Sequence, residues 1–398
     1  MLYARHYFFA RVLTFALFAI LPLTSGIAQQ TYIGRQMQQL QQSQTHSNLT
    51  RPLGVIADEL RNATIEEDKK RLLDELNRTI ANHRSLATQT ENRELQIKSI
   101  TTLAIMYYQG LVNPPDIPEA IKWFSRGAEL NDPTCQFMLG SIYLYFAGSS
   151  SDIPKGLSYL QQSAGNGFAE AQCMLGEILL EGKLVPKNEE VAYKWIRKAA
   201  DQNFARAQMS VGLQYYNGRG MPVSHAEAAK WFRKAADQGF PDAQIKLGLL
   251  YEIGAGVEKN NAEAIRLYKL AAEQNSASAQ FKLGLVYHDG TGVPIDYAQA
   301  VRYFRLAADQ GDAEAQFSMA SCYLLGTGVP KDKAEFAKWL QKAAEQGNDA
   351  AQYFLGLGYY QGECVPKNDV EAAKWFRKAA DQGNSKAQKA LDELLKGK

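Results

Sequence analysis

The stretch EAAKWFRKAADQG runs from Glu227 to Gly239 and recurs unchanged from Glu371 to Gly383. In the first copy, apolar side chains at Ala228, Trp231 and Phe232 begin a spacing of i, i+3, i+4, i+7, which marks one stripe of an α-helix. The lysines, arginine and aspartate fall on the opposite side. The spacing therefore predicts an amphipathic helix whose aromatic and basic residues lie on different faces, rather than a mixed patch for nucleic acid.

The same helix is one part of a unit that repeats every 36 residues. Its most regular feature is the dipeptide Leu-Gly, or a variant with valine or methionine first or alanine second. We number positions within a unit from the second residue of this dipeptide. That residue is Ala104, Gly140, Gly176, Gly212, Gly248, Gly284, Ala320 or Gly356. A tyrosine follows at position +3 in every unit except the one with Leu179, and all five tryptophans lie at position +19. A fixed period of this length indicates a repeat array.

Each unit is predicted to contain two helices, A and B. A residue that can cap a helix N-terminus precedes helix B in all eight units: Asp116, Asp152, Asn188, Ser224, Asn260, Asp296, Asp332 and Asn368. Glycine or asparagine ends helix B, because the residue after a helix often adopts a left-handed conformation. Small residues in helix A allow neighbouring helices to approach, and the tyrosine and tryptophan columns are expected to fill the space between them.

The repeated pattern A-Q-x-x-L-G-x-x-Y-x-x-G-x-G-V-x-K resembles that of the Sel-1-like repeat family. The resemblance covers residues 96–383 and implies an all-α fold, a right-handed α/α superhelical solenoid of eight 36-residue helix-turn-helix repeats. Residues 50–95 read as a helical N-terminal cap, and residues 384–398 as a C-terminal capping helix, because terminal repeats need a polar outer face.

The N-terminus has the three parts of a secretory signal peptide. Arg5 and Arg11 accompany an apolar run over residues 12–21, and small residues precede an expected cut after Ala28. We expect residues 1–28 to be this signal and residues 29–49 to be a flexible glutamine-rich leader, with an uncleaved membrane anchor as the alternative. The protein is then periplasmic or secreted, without stable membrane insertion, and the sequence leaves open a bacterial periplasm or a eukaryotic secretory lumen.

Charge and motifs argue against several classes of function. The 44 basic residues include Arg5 and Arg11 of the signal, which leaves 42 basic and 42 acidic residues, so a nucleic-acid partner is not expected. The five histidines have no metal-ligand spacing. Four G-x-G loops follow a helix at the repeat period, as Gly254-Ala255-Gly256 does, and therefore read as turns rather than phosphate sites. We predict no catalytic residue, no metal and no cofactor.

Two further sets of polar residues are predicted to be structural. Cys135, Cys173, Cys322 and Cys364 lack the pairing pattern of the disulfide-rich branch of the family, so free buried thiols are expected, with a Cys322–Cys364 bridge as the alternative. Glutamine stands at position −4 in seven of the eight units, with Ile100 in the first, and again at the matching position of the C-terminal capping helix: Gln136, Gln172, Gln208, Gln244, Gln280, Gln316, Gln352 and Gln388. We expect each to satisfy backbone groups nearby, because buried amides must be paired.

The remaining variable positions of helix A are the predicted binding surface. By analogy with tetratricopeptide arrays, positions +1, +4 and +5 should face a concave groove. The residues predicted to bind the partner there are Tyr108, Tyr145, Tyr216, Glu252, His288 and Tyr360. Exposed tyrosines are common anchors in interfaces. The alternative is that these positions vary because they face solvent and are weakly constrained.

Together these features predict a non-catalytic, monomeric scaffold that binds a peptide or protein segment in the groove. The family resemblance implies roles in envelope-complex assembly or contact with host proteins. Two other functions stay open, an enzyme acting on β-lactam-like or cell-wall substrates and a module that binds cell-wall glycans. The first lacks a nucleophile or acid–base constellation, and the second lacks a specific motif.

Overall fold

The computed structural model of the chain describes residues 66–110, 115–145, 152–363 and 365–396, which form 18 α-helices and no strand. Two compact units divide the chain after Pro222. The first contains α1 (Glu66–Gln89), α2 (Arg93–Gln109), α3 (Ile117–Glu129), α4 (Pro133–Tyr145), α5 (Ile153–Gly165), α6 (Ala169–Glu181), α7 (Glu189–Asp201) and α8 (Ala205–Asn217).

The second unit contains the other ten helices. They are α9 (His225–Asp237), α10 (Pro241–Ile253), α11 (Asn261–Glu273), α12 (Ala277–Asp289), α13 (Tyr297–Asp309), α14 (Ala313–Leu325), α15 (Lys333–Glu345), α16 (Asp349–Gln361), α17 (Asp369–Asp381) and α18 (Ser385–Lys396). Several predictions lie outside the described residues: the signal peptide 1–28, the leader 29–49, the first part of the cap over 50–65, and any bond to Cys364.

Helices of type A and type B alternate along the chain, as the period predicts. The A helices are the even-numbered α2 to α16, and the B helices are the odd-numbered α3 to α17. Helix α1 packs along α2 and buries Leu76, Ile80 and Ala87, while α18 packs against α17 through Leu391 and Leu394. The expectation of an all-α helical repeat solenoid is confirmed.

The predicted capping residues set the helix boundaries. In seven of the eight units the capping side chain before helix B accepts a hydrogen bond from a backbone N–H of the first turn, and Asp152 is the exception. All eight glycines and asparagines after helix B have φ between 57° and 95°. This is the left-handed region that glycine and asparagine adopt at the lowest cost. Local sequence therefore fixes both ends of each B helix.

The Leu-Gly glycine permits the close contact between helices A and B of a unit. A Cβ added at Gly284 would lie 2.4 Å from the ring of Phe304, and one at Gly248 would lie 2.6 Å from the ring of Tyr268. These rings occupy position +20, next to the tryptophan column, and include the largest fully buried side chains described: Phe124, Phe232, Tyr268, Phe304 and Phe376. The deepest part of the core is thus position +20, one residue beyond the predicted tryptophan column.

The buried glutamine column connects consecutive helices. Gln316 of α14 donates from Nε2 to the carbonyl of Ala308 at the end of α13, at 3.0 Å, and its Oε1 accepts from Gln346 Nε2 after α15, at 2.9 Å. Gln172 and Gln352 make the same two bonds in their own units. The predicted bond to the backbone is confirmed for Gln172, Gln208, Gln244, Gln316 and Gln352, whereas Gln280 donates to the side chain of Asn275 and Gln388 to that of Asp392. The second partner of Gln172, Gln316 and Gln352, a side chain 30 positions later, was not predicted. The two bonds together join an A helix to the B helices before and after it, and we call this pair of bonds the glutamine bridge.

The three described cysteines are buried, free thiols, as predicted. Cys135 replaces the alanine of other units, and the facing residue of α3 is glycine rather than alanine or serine. A Cβ at Gly127 would lie 2.3 Å from Cys135 Sγ and 3.3 Å from Ile100 Cγ2. Glycine at position 127 of α3 therefore leaves room for the larger side chain of Cys135 in α4.

Gly127→Ala tests this compensation. Alanine is favoured over glycine in a helix by about 0.5–1 kcal/mol, but overpacking a core costs about 1–3 kcal/mol. We therefore expect G127A to lower the free energy of unfolding by about 1–2 kcal/mol in urea denaturation, and C135A/G127A to recover most of that loss. G165A is the matched control, because no atom lies within 4 Å of a Cβ there. Equal stability of G127A and wild type would contradict the packing account.

None of the described helices is long and apolar enough to cross a membrane.

Candidate functional site

The variable side chains of the A helices form one stripe, which we call the A-face of each unit. It comprises positions −6, −3, −2, +1, +4 and +5, which helical spacing places on one side of the helix. Positions −5, −4 and −1 are buried throughout the fully described A helices, as Ala243, Gln244 and Leu247 are in α10. The A-face residues are half-buried or exposed, with occasional buried exceptions such as Cys173. A partner can therefore reach this stripe without displacing the core.

In the first compact unit, which ends at Pro222, the A-face carries a cluster of charged side chains from successive A helices. Arg206 of α8 donates from Nε and Nη2 to both carboxylate oxygens of Glu177 in α6, at 2.8 and 2.7 Å. Both side chains are about one quarter to one third exposed. Burial first, and then the carboxylates of Glu177 and Glu181, raise the pKa of Tyr145 in α4. The neighbouring residues thus keep this tyrosine a neutral hydrogen-bond donor.

The other two predicted tyrosines of this unit are half-buried rather than exposed. Tyr108 places its ring edge against Phe124 of α3, with 6.5 Å between the ring centroids. Burial raises the pKa of Tyr108 to about 12. Tyr216 at the end of α8 is also half-buried. The expectation of exposed tyrosine anchors is therefore wrong for Tyr108, Tyr145 and Tyr216, which are half-buried.

In the second compact unit, which begins at Val223, the two polar residues predicted for the site each contact another side chain of the protein. Glu252 accepts a hydrogen bond from the hydroxyl of buried Tyr268, at 2.6 Å. His288 Nδ1 lies 2.6 Å from Asp289 Oδ1, and its ring meets Tyr297 edge-on at 5.5 Å between centroids. These contacts orient both side chains and leave each of them partly accessible on the A-face.

Apolar side chains are exposed at the neighbouring helices α14 and α16. The exposed fraction is 65% for Leu325, 46% for Leu324, and 43% for both Phe354 and Tyr360. Phe354 stacks on half-buried Phe317 of α14, with 5.9 Å between centroids, so the rings bridge the two A helices. We call Leu324, Leu325, Phe354 and Tyr360 the apolar patch. Tyr360 is the predicted tyrosine whose exposure is confirmed.

The outer side of the B helices has a different character. Lys234 Nζ lies 4.0 Å from the ring centroid of Trp231, and Lys378 lies 4.2 Å from that of Trp375. Ion pairs three residues apart, such as Lys230 with Glu227, occupy the same side. The aromatic and basic residues of the sequence EAAKWFRKAADQG therefore stabilise each other within the B helix, since a cation over an aromatic face is stabilising.

The described acidic, histidine and cysteine side chains are not arranged for metal binding or for thiol chemistry. Within the described parts of the chain, no three His, Cys, Asp or Glu side chains are grouped so that they could hold a metal ion. Burial raises the pKa of Cys135, Cys173 and Cys322, so these sulfurs stay protonated, while thiol chemistry requires the thiolate. The arrangement is suited to binding.

Sequence reasoning missed the residues that carry most of this chemistry. Glu177 and Arg206 occupy positions +1 and −6, while the predicted site used positions +4 and +5. Leu325 stands at +5 but is not among the predicted site residues. Glu177, Arg206 and Leu325 could have been found by considering all six positions of the A-face instead of the two at its C-terminal end.

Tyr108→Phe tests whether the +4 tyrosine of the first repeat is part of the packing. Its folded pKa of about 12 exceeds the ordinary value of 10, so the unfolded chain loses this proton first as pH rises. The stabilisation is complete below pH 10 and is lost towards pH 12. We expect the unfolding free energy of Y108F to fall less steeply over this range, by about 1–2 kcal/mol, in urea titrations at each pH. Parallel curves for the two proteins would place Tyr108 in solvent.

Known proteins with the same repeat identify the scaffold. The Sel1 repeat model matches eight consecutive segments: residues 100–132, 133–168, 169–204, 205–240, 241–276, 277–312, 313–348 and 349–384. These segments follow the alternation of A and B helices. No curated protein matches the chain at significant similarity.

Two solved structures are similar over most of the chain. One is a protective antigen present in uropathogenic Escherichia coli strains, which displays an SLR fold: it is 32% identical, with a TM-score of 0.65, covering 79% of this chain and 67% of that one. The other is a Sel1 repeat protein from Oxalobacter formigenes, 32% identical, with a TM-score of 0.61, covering 88% of this chain and 95% of that one. Sel1 repeat proteins are generally non-catalytic scaffolds for protein interaction. This chain belongs to the Sel1 repeat family.

Proposed function

We propose that this protein is an exported, monomeric scaffold that binds a protein or peptide segment along its A-face. The general role follows from the family, while the place of binding rests on the side chains of the A helices. Six residues from the sequence prediction remain part of this surface: Tyr108, Tyr145, Tyr216, Glu252, His288 and Tyr360. The apolar patch and the Glu177–Arg206 pair extend it.

The observation that carries the proposal is the apolar patch. Four large side chains on two adjacent A helices are 43–65% exposed. Other exposed apolar residues, such as Val191, Val223 and Ile253, stand singly on other helices and loops. Covering a half-exposed side chain of this size gains about 1 kcal/mol, and clustered apolar residues of this kind mark interaction sites. A partner that covers the patch would therefore gain several such contributions at one place.

The first unit offers polar contacts for the same kind of partner. Arg206 uses Nε and Nη2 on Glu177, and no described group accepts from its Nη1. A guanidinium has five N–H donors in a fixed plane, so donors are left for a partner carbonyl or carboxylate. Glu177 holds the guanidinium in place before binding, which reduces the entropy lost when a partner is bound.

Export is supported by the N-terminal sequence. Arg5 and Arg11, the apolar run over residues 12–21 and the small residues up to Ala28 follow the order of a cleavable signal. The similar E. coli protein is a protective antigen, and recognition by antibodies is expected of a protein that leaves the cytoplasm. We infer a periplasmic or secreted location on these grounds.

Site-specific photo-cross-linking in the native cell tests the proposal. A benzophenone amino acid is placed at Leu325 or Tyr360 on the A-face, and at Lys230 or Lys269 on B helices as matched controls. We expect a discrete protein adduct from the A-face positions and at least fivefold less from the controls. The recovered chain should begin at Gln29.

Two results would contradict this proposal. Adducts concentrated at Lys230 and Lys269 would place the partner on the B helices. A mature chain that retains Met1 would remove the argument for a cleaved signal, and its location would then have to be assigned without one.

A further inference from the structure

A histidine lies within the buried stripe of the capping helix α1. Leu76, Thr79, Ile80 and Ala87 form this stripe and are buried where α1 packs along α2. His83 stands between Ile80 and Ala87 at helical spacing and is half-buried. Histidine is the side chain that ordinarily gains its charge in the mildly acidic range. A change of charge at His83 would therefore take place inside the contact between α1 and α2.

The ring of His83 faces a hydroxyl rather than a carboxylate. Its Nδ1 lies 3.4 Å from Oγ of Ser99 in α2, a residue that is 1% exposed. Ser99 occupies position −5, which is alanine in six of the other seven units and Cys135 in the remaining one. A hydroxyl can donate to the ring nitrogen or accept from it, but it carries no charge. A protonated ring here would be a partly buried cation without a counter-charge, which is unfavourable.

The charged side chains of the two helices interact with other groups. Arg84 of α1 donates to a tyrosine hydroxyl in α2. In α2, Arg93 donates to the backbone carbonyl that follows α3, and Glu94 pairs with Lys98 at 2.7 Å. The other charged residues nearby in sequence lie more than one helical turn from the histidine: Asp74, Glu75 and Arg78 before it and Glu91 after it. Burial lowers the pKa of His83 from its ordinary value of 6.5, without a contribution from a charged neighbour.

The place of α1 in the array keeps a loss of stability local. Among the described helices, α1 has α2 as its main neighbour, whereas an inner helix such as α6 packs between α5 and α7. The stability of a repeat protein is approximately a sum over neighbouring elements, and its terminal elements open at a lower free energy than the inner ones. A destabilised contact between α1 and α2 therefore opens α1 before it unfolds the repeats.

We propose that α1 is an acid-sensitive cap, which separates from α2 when His83 is protonated while the repeats stay folded. Ile100 and Leu103 of α2 belong to the same apolar cluster as Leu76 and Ile80, so separation makes part of this cluster accessible. The array is then closed at its N-terminal end at neutral pH and open in an acidic compartment. This device is independent of the partner that binds the A-face.

The direction of the pH effect follows from burial. The histidine of the open cap binds a proton more tightly than that of the closed cap, because the pKa of His83 is lowered in the closed state. The stabilisation of the closed cap is therefore complete above the ordinary pKa of 6.5 and is lost as pH falls below it. Neutral His83 keeps the cap in place, and its protonation favours separation.

Hydrogen exchange of the full-length protein at pH 7.5 and pH 5.0 tests the proposal, with labelling times scaled for the intrinsic pH dependence of amide exchange. We expect the protection of α1 amides to fall at least threefold at pH 5.0, and that of α6 to α8 to change by less than about 1.5-fold. The hydrogen bond and ion pair with Lys98 lower the pKa of Glu94, so this carboxylate stays ionised at both pH values. The ion pair on α2 is therefore the same in both measurements.

His83→Gln decides whether the histidine is responsible. Its amide can bond to Ser99 but takes up no proton in this range, so the protection of α1 in H83Q is expected to be equal at the two pH values. H83K, charged at both, should lower the protection of α1 at both. H288Q, on the exposed A-face, is the matched control and should keep the response of the wild type. Comparing the two pH values within each variant separates the effect of charge from any change in packing.

Three results would overturn the acid-sensitive cap. Protection of α1 that is the same at both pH values in the wild type would show that the cap does not respond to acid. An unchanged response in H83Q would assign the effect to another group. Equal losses in α1 and in α6 to α8 would show that the compact unit unfolds as a whole. Each of these outcomes leaves the scaffold role intact, because that role is tested by cross-linking at Leu325 and Tyr360.

Discussion

The glutamine bridge is the interaction on which the rest of the structure depends. Gln316, 3% exposed, holds a carbonyl of the preceding B helix and the amide of Gln346 after the following one. A buried amide left unpaired costs about 1–3 kcal/mol, so each bridge stabilises one relative position of the three helices. The same bridge at Gln172, Gln244 and Gln352 helps to keep the spacing of the A helices regular, and the A-face is regular for the same reason.

Framework positions carry nearly the same residue in every repeat, so differences in binding must come from the variable positions between them. Position −4 is glutamine in every repeat after the first, and +20 is always a large buried side chain, so neither can adapt to a partner. The A-face positions differ from repeat to repeat and give each compact unit its own chemistry. The first compact unit presents the Glu177–Arg206 pair and Tyr145, whereas the second presents the apolar patch. Binding specificity of this protein is therefore expected to reside in residues that break the repeat pattern.

The fold could be predicted from the sequence because its determinants are local. Capping residues and left-handed glycines act within one or two turns of helix, and the 36-residue period repeats these signals along the chain. Helix type and order could therefore be predicted directly. Contacts between repeats could not be predicted in the same way. The Gln316–Gln346 bond and the Glu177–Arg206 pair join residues about 30 positions apart, with no local signal. Exposure could not be predicted from residue type either: Tyr108, predicted to be exposed, packs on Phe124, while the apolar Leu325 is 65% exposed.

Hydrogen exchange of Gln316→Met tests the central role of the bridge most directly. Methionine has a similar length but leaves the Ala308 carbonyl and the Gln346 amide without their partner. Gln341→Met, on the exposed side of α15, is the control. We predict that amide protection falls at least tenfold in α13, α14 and α15 of Q316M, with distant repeats of the same unit less affected and Q341M unchanged. Protection in Q316M equal to wild type would show that apolar packing alone fixes the repeats, and would contradict this account.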